Sequence, residues 1–251
     1  MTPRRITDDI ALCLVFFTRL PLPRFDFGSR TLAQAIWAAP LVGVAVAVVA
    51  SIVHAAASAV GLSPNVAAAL ALAAAMLMTG CLHEDGLSDV ADGFGGGKTR
   101  EQKLAIMRDS RIGAYGASAL LMSALIRWSA MSQLGNTFFV FCGLIAAHAA
   151  SRALLPAFMH LVPPARQDGL AAGAGQASSE TALVALAIGA LALLALGMSG
   201  FVAAAVMIAL VFYGFRALCL RQIGGQTGDT LGALQQAGEI AVLLVAAAVL
   251  T

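Results

Sequence analysis

The sequence predicts an all-α integral membrane protein of about seven transmembrane helices, with an N-terminal interfacial helix and an acidic active-site helix at the cytoplasmic face. Two observations carry this fold class. Of 251 residues, 60% are hydrophobic and only 11% are charged, whereas soluble domains carry about 25% charged residues; the mean hydropathy is +0.87. Apolar runs near 33–60, 64–82, 113–134, 136–161, 181–197, 199–220 and 230–251 are mostly long enough for a crossing helix, which needs about 20 residues. After these runs and their connections too little chain remains for a soluble domain, so residues 1–251 read as one polytopic domain.

Taken in order, residues 6–20 place Ile6, Ile10, Cys13, Leu14 and Phe17 beside Arg4, Arg5, Asp8 and Asp9. That pattern suits a helix lying in the interface plane, and Pro21 and Pro23 stop it, so 1–30 is an interfacial segment. No small-residue cleavage site follows a pure apolar core, so a signal peptide is not expected. The last run is interrupted by Gln235, Gln236 and Glu239 and is the weakest candidate to span. Ala and Gly within the runs fit close helix packing in lipid. Cys13, Cys81, Cys142 and Cys219 form no Cys-x-x-Cys pair and read as reduced packing residues.

Charge placement gives the orientation. The turns near 61–64, 135–136 and 198–200 hold no charge, whereas 1–31, 83–112, 162–180 and 221–229 hold most of the fifteen Lys and Arg. By the positive-inside rule the basic connections are cytoplasmic, and 83–112 becomes a catalytic connection on the inner face. Arg127 and Arg152 fall inside spans. An ionisable group there is a functional candidate by default, so Arg152 is assigned to substrate binding, with a structural ion pair as the competing reading.

Residues 80–93 read Gly-Cys-Leu-His-Glu-Asp-Gly-Leu-Ser-Asp-Val-Ala-Asp-Gly. Asp85, Asp89 and Asp92 sit at i, i+4 and i+7 and project from one helix face. Like charges so arranged call for a cation, and hard oxygen ligands suit Mg²⁺; Glu84 is a fourth candidate ligand. At mid-membrane each acid would cost roughly 3 kcal/mol, so the cluster belongs at the mouth of the span ending near Leu82. Gly95, Gly96 and Gly97 follow, then Lys98, Arg100, Lys103, Arg108 and Arg111. Acids followed by bases are the parts that hold a metal-bridged diphosphate. Asp109 either pairs with an arginine or closes the site from a second element. A third polar island, Gly224-Gly225-Gln226-Thr227-Gly228-Asp229, falls on the same side.

Four ordered motifs, Phe17-Thr18-Arg19-Leu20-Pro21-Leu22-Pro23, His83 to Gly93, Ile106 to Gly113 and Gly224 to Asp229, closely resemble those of the cobalamin synthase family, adenosylcobinamide-GDP ribazoletransferase. The likeness runs from residue 16 to about 239. It implies an Mg²⁺-dependent inner-membrane enzyme of late vitamin B12 assembly. A ribose hydroxyl of α-ribazole or its 5′-phosphate would attack the cobinamide-side phosphorus of adenosylcobinamide-GDP and expel GMP. The assignments are then Asp85, Asp89, Asp92 and Asp109 for catalysis. His83, Arg108, Ser110, Arg111, Arg19, Arg152, Gln226, Thr227 and Asp229 are assigned to substrates, with Asp109 or Asp229 as general base. The expected partners are these two substrates and the lipid bilayer, with a homo-oligomer or association with other corrinoid-assembly enzymes allowed and no nucleic acid. Asp89-Val90-Ala91-Asp92-Gly93 also fits the opening motif of CDP-alcohol phosphotransferases, which is the runner-up. A divalent-cation or corrinoid transporter would want acids on several mid-span faces, and no internal repeat supports one.

Overall fold

The structure, a computed structural model, describes residues 3–23, 25–166 and 175–251, so 167–174 of the connection 162–180 lie outside it. Among the described residues every regular element is helical, and a single bridge, Pro164 to Gln226, joins extended segments. Helix α1 is Pro3–Phe17, and the short α2, Leu32–Ala35, leads through a 3₁₀ turn into α3, Ala39–Ala59. There follow α4 (Pro64–Thr79), α5 (Leu82–Gly96), α6 (Arg100–Ile106), α7 (Ala114–Leu134), α8 (Thr137–Leu161), α9 (Ser179–Leu193), α10 (Gly197–Ile223) and α11 (Gly228–Val249). Each apolar run of the sequence is helical.

Four stretches are long and apolar enough to cross a membrane: Leu32–Ala59, Thr137–Leu161, Ser179–Ile223 and Gly228–Val249. Pro64–Thr79 and Leu82–Gly96 qualify only together, and they are bent by 89°. The 45-residue stretch Ser179–Ile223 does not run straight, because Gly197 at φ +72° turns it back. Gly189 of α9 lies against Ala153 and Phe212 of α10 meets Phe158 edge-on, so both helices pack along α8. Helix α7 has the length of a span, but Arg127 and its serines make it more polar than those four.

Helix α8 is central, with α3, α9 and α11 packed along it and most of its residues buried. Large apolar side chains stand exposed on the outer helices, among them Ile52, Leu77, Leu121, Leu183, Val206 and Leu210. Water would penalise such a surface, and lipid covers it at no cost. The fold is that of an all-α membrane protein.

The segment 1–30 is more firmly held than an interfacial helix needs. Asp9 on α1 is fully buried, 2.6 Å from both Nε and Nη2 of Arg30, and it accepts from Trp37 Nε1 at 2.7 Å. This ties α1 to the start of α3. The amphipathic pattern holds only in part: Cys13 and Phe17 are buried as expected, but Ile6 of the apolar set is exposed and Asp9 of the polar set is buried.

The four basic connections gather at one end of the bundle. Arg100 donates to the carbonyls of Ile223 (2.7 Å) and Ala165, and Lys103 to Gln222. Gln226 N–H donates to Pro163 O, and Ala165 N–H to Gln226 O, both at 2.8 Å. Arg19 N–H donates to Met78 O at 2.7 Å, which brings the N-terminal connection to the same place.

Candidate functional site

The site begins at the elbow between α4 and α5. Gly80 (φ +62°) and Cys81 (φ +58°) are successive left-handed residues, and Cys81 is the only non-glycine in that region among the described residues. Side chains with a Cβ rarely adopt it. The elbow keeps its hydrogen bonds, with Cys81 N–H donating to Met76 O at 2.9 Å. The 89° bend turns α5 out of the line of α4, and α5 runs antiparallel to α7, with Asp92 at Gly113 and Gly116 and Glu84 at Arg127. The Arg19 side chain packs against Gly80, where a Cβ would stand 2.5 Å from its Nε.

The four acids of α5 have separate fates. Asp85 is exposed and Asp89 half-buried. Burial, then the neighbouring carboxylates of Asp85, Asp229 and Asp92, push Asp89 up to about 7. Asp92 is buried and turned toward α7, where it accepts from Gly113 N–H at 2.7 Å and Gly116 N–H at 2.9 Å. It serves as an anion at a helix N-terminus. A Cβ at Gly116 would lie 2.3 Å from the Asp92 carboxylate, so only glycine lets the two helices meet there. Glu84, 5% exposed, points the other way, into the bundle, and accepts from Arg127 at 3.0 Å. The spacing put Asp85, Asp89 and Asp92 on one face with Glu84 as a further ligand; the fold commits Asp92 and Glu84 to protein partners.

In their place it brings Asp229. Thr227 caps α11 reciprocally with Thr230, its N–H donating to Thr230 Oγ1 at 2.8 Å and its Oγ1 accepting from Thr230 N–H at 3.3 Å. This holds the first turn of α11 against α5. The approach is as close as backbone allows: a Cβ on Gly86 would stand 2.7 Å from Asp229 O. Asp85, Gly86 and Asp229 therefore share the rim of one cavity, which His83 also lines. Thr227 Oγ1 donates to Asp229 at 3.2 Å, and Arg166 Nη2 lies 3.7 Å from the same carboxylate. Arg108 is near enough to act on Asp229 as well.

Other assigned residues stand apart. Arg111 grips Asp109 with Nη2 at 2.6 Å and Nε at 3.0 Å. Side-chain and then backbone hydrogen bonds from Arg111 hold Asp109 down at about 2. Ser110, between them, is exposed. Gln226 and Thr227 are buried and act through their backbone bridge and cap. Arg152, 1% exposed, lies in the bundle with Nη1 donating to His148 O at 3.1 Å. Among the described residues its hydrogen-bond partners are the His148 ring and carbonyl, not a carboxylate, and its Nε is buried without a hydrogen-bond partner.

Sequence reasoning missed two features. Arg166 follows a Pro-Pro pair in a connection with no motif to mark it. The second is a buried polar network: Arg127 Nη1 reaches Glu84 (3.0 Å) and Glu239 (3.1 Å), and Glu239 meets His148 Nδ1 at 3.0 Å. Gln235 donates to Glu239 (2.6 Å) and Gln236 to Glu84 (3.3 Å). Ionisable residues in apolar runs have to pair, and that rule was the available signal. Among the described residues, no three His, Cys, Asp or Glu side chains form a ready metal cage.

Comparison with known proteins gives the family. The profile of the cobalamin-5-phosphate synthase family matches residues 9–247. A Mesorhizobium japonicum protein named adenosylcobinamide-GDP ribazoletransferase is 62% identical over all of this chain and 97% of its own. Proteins of the same name from Bradyrhizobium diazoefficiens (49%, covering 98% of this chain and 96% of theirs) and Brucella ovis (41%, 94% and 95%) are also similar. No solved structure matches. With a family profile spanning nearly the whole sequence and the acidic helix, its basic connection and Asp229 assembled at one end of a membrane bundle, the chain belongs to the cobalamin-5-phosphate synthase family.

Proposed function

We propose that this chain transfers the adenosylcobinamide-phosphate group from adenosylcobinamide-GDP to a ribose hydroxyl of α-ribazole or α-ribazole 5′-phosphate, releasing GMP, at the cytoplasmic face of the inner membrane. The observation that carries the reading is the meeting of Asp85 of α5 with Asp229 of α11 at one cavity rim, with Asp89 near enough to feel both carboxylates. The names of relatives that cover nearly the full chain support it.

Asp85 and Asp89 would hold Mg²⁺. That ion keeps several waters and takes one or two carboxylates together with substrate phosphates. The mutual crowding that raises Asp89 is the condition a cation relieves. When bound, the ion supplies charge neutralisation on the diphosphate oxygens. Asp229 accepts the ribose proton as the new O–P bond forms and the P–O bond to GMP breaks. Asp109 is poorly suited to that task, because Arg111 holds it as a weak base. Arg166, 3.7 Å from Asp229, and Arg108, within electrostatic range of it, meet the phosphate charge.

The test is direct. Purified protein in detergent, given adenosylcobinamide-GDP, α-ribazole 5′-phosphate and Mg²⁺, should form one GMP per cobalamin phosphate. EDTA should stop the reaction and added Mg²⁺ restore it. No GMP above the enzyme-free control, with the Mesorhizobium relative active in parallel, would remove the reading.

A further inference from the structure

A second apolar cavity, of about 350 Å³, lies between α8, α9 and α10 and shares no lining residue with the one at Asp85 and Asp229. Leu154, Leu161, Leu186 and Leu193 are among its walls. Gly189 lets α9 come close to α8 there, since a Cβ on it would stand 2.5 Å from that of Ala153. Ala190, Ala209 and Tyr213 line the cavity and are exposed, so it is a groove open on its outer side. On α10 it is lined by Ala205, Ile208, Ala209, Phe212 and Tyr213. At 100° per residue these cover one side of the helix, and Arg216, one turn beyond Phe212, falls in the middle of that side. Arg216 is half-buried, its Nε is buried without a hydrogen-bond partner, and among the described residues no carboxylate pairs with it. An arginine on a spanning helix normally pairs inside the bundle. This one stands about 29 Å along α10 from Gly197, close to the thickness of a hydrocarbon core, about 30 Å. With the uncharged turn at Gly197 on one surface, Arg216 lies at headgroup depth on the other, the end where the basic connections gather.

We propose that this groove is a binding site for an anionic phospholipid, one acyl chain lying along α8, α9 and α10 and the phosphate paired with Arg216. Charge complementarity selects that occupant. The walls are apolar and take a hydrocarbon chain, and the single cation at the end of the groove takes an anion. A neutral chain would leave Arg216 unpaired. A zwitterionic lipid brings its own ammonium group to the same basic end, where Arg221 is exposed, and loses the net attraction that anionic headgroups have for such a surface. A soluble anion pairs with Arg216 and leaves the groove unfilled. A second copy docked through the same face would repeat each contact about a two-fold axis, setting Arg216 near its own twin, and α10 carries no Asp or Glu to offset the two charges.

Native mass spectrometry of the full-length protein, purified in a zwitterionic detergent and incubated with dioleoylphosphatidylglycerol, tests this. The wild type should retain one such lipid per chain, and phosphatidylcholine with the same chains about fivefold less. Arg216→Gln should bring retention of phosphatidylglycerol down to the phosphatidylcholine level. Ala209→Leu, which fills the groove from an exposed position, should lower retention of both lipids. Added phosphatidylglycerol should raise the thermal midpoint of the wild type and of neither variant, because a ligand of the folded state stabilises it by mass action. If Arg216→Gln yields too little folded protein, Ala209→Leu and the comparison of the two lipids carry the test. Equal retention of the two lipids by the wild type would overturn the proposal, as would unchanged retention of phosphatidylglycerol in either variant. Displacement of the lipid by glycerol phosphate at equal concentration would reassign Arg216 to a soluble anion. A dimer that persists without lipid and dissociates in Ala209→Leu would give the groove to a second copy, and either result would remove the lipid.

Discussion

Asp92 and Asp85 are the same residue type on the same helix, seven positions apart, and the fold uses them differently. Asp92 accepts two backbone N–H groups at the start of α7, whereas Asp85 is exposed at the cavity rim. Asn at 92 keeps one accepting oxygen and turns an NH₂ toward the other N–H, so one buried donor loses its partner. The expected loss is about 1–3 kcal/mol of stability. Asp92→Asn should therefore lower the thermal midpoint and the yield of purified protein, and raised Mg²⁺ should not recover its activity. Asp85→Asn and Asp89→Asn should leave the midpoint near that of the wild type, lose most turnover, and recover part of it at raised Mg²⁺ or with Mn²⁺, because a weakened site fills by mass action. Thermal melts and metal titrations of the three variants check this. Equal metal rescue of Asp92→Asn would return it to the metal set.

At the scale of the element, α5 is held in place by charges inside the bundle. Glu84 faces Arg127 of α7, and Arg127 in turn faces Glu239 of α11, which meets His148 of α8. Four helices thus converge on one buried network directly beneath the residue that precedes Asp85. Removing one member of a buried pair leaves an uncompensated charge and costs about 3–5 kcal/mol. Arg127→Met should accordingly reduce folded protein sharply, and adding Glu84→Gln and Glu239→Gln to it should recover yield. A triple variant no better than Arg127→Met in size-exclusion yield would show that the network is not held by charge pairing. These contacts also show what the sequence could and could not say. The apolar runs gave the helices, because a bilayer imposes length and hydropathy locally. That Arg127 must pair followed from its place in an apolar run. Its partners did not, since Glu84 and Glu239 lie 43 and 112 positions away along the chain. The direction of Asp92 was hidden for a related reason: helical spacing fixes an angle around α5 but not which neighbour stands at that angle. Asp229 was legible as part of a polar island, and its meeting with α5 became visible only through the contact at Gly86.

For the whole molecule, the decisive quantity is which end of the bundle faces the cytoplasm. The basic connections 1–31, 83–112, 162–180 and 221–229 were grouped by charge alone; described residues of the last three are hydrogen-bonded to one another at a single end, and Arg19 of the first is bonded to the end of α4. The turns near 61–64 and 135–136 carry no charge. A one-ended distribution of Lys and Arg orients a membrane protein with that end inside, and the proposed function accordingly has Asp85, Asp89 and Asp229 facing the cytoplasm. Cysteine labelling reads this directly, provided the probes do not disturb the turns. Gly61 and Gly135 are poor choices, because both have positive φ (+85° and +59°) that a side chain would strain. Ser63 and Glu101 are exposed and make better positions. In a variant lacking Cys13, Cys81, Cys142 and Cys219, Ser63→Cys should react with an impermeant maleimide in cells whose inner membrane is intact, and Glu101→Cys only after that membrane is opened. Labelling of Glu101→Cys before permeabilisation would invert the bundle. It would place the acidic rim outside the cell interior and remove the cytoplasmic site from the proposed function.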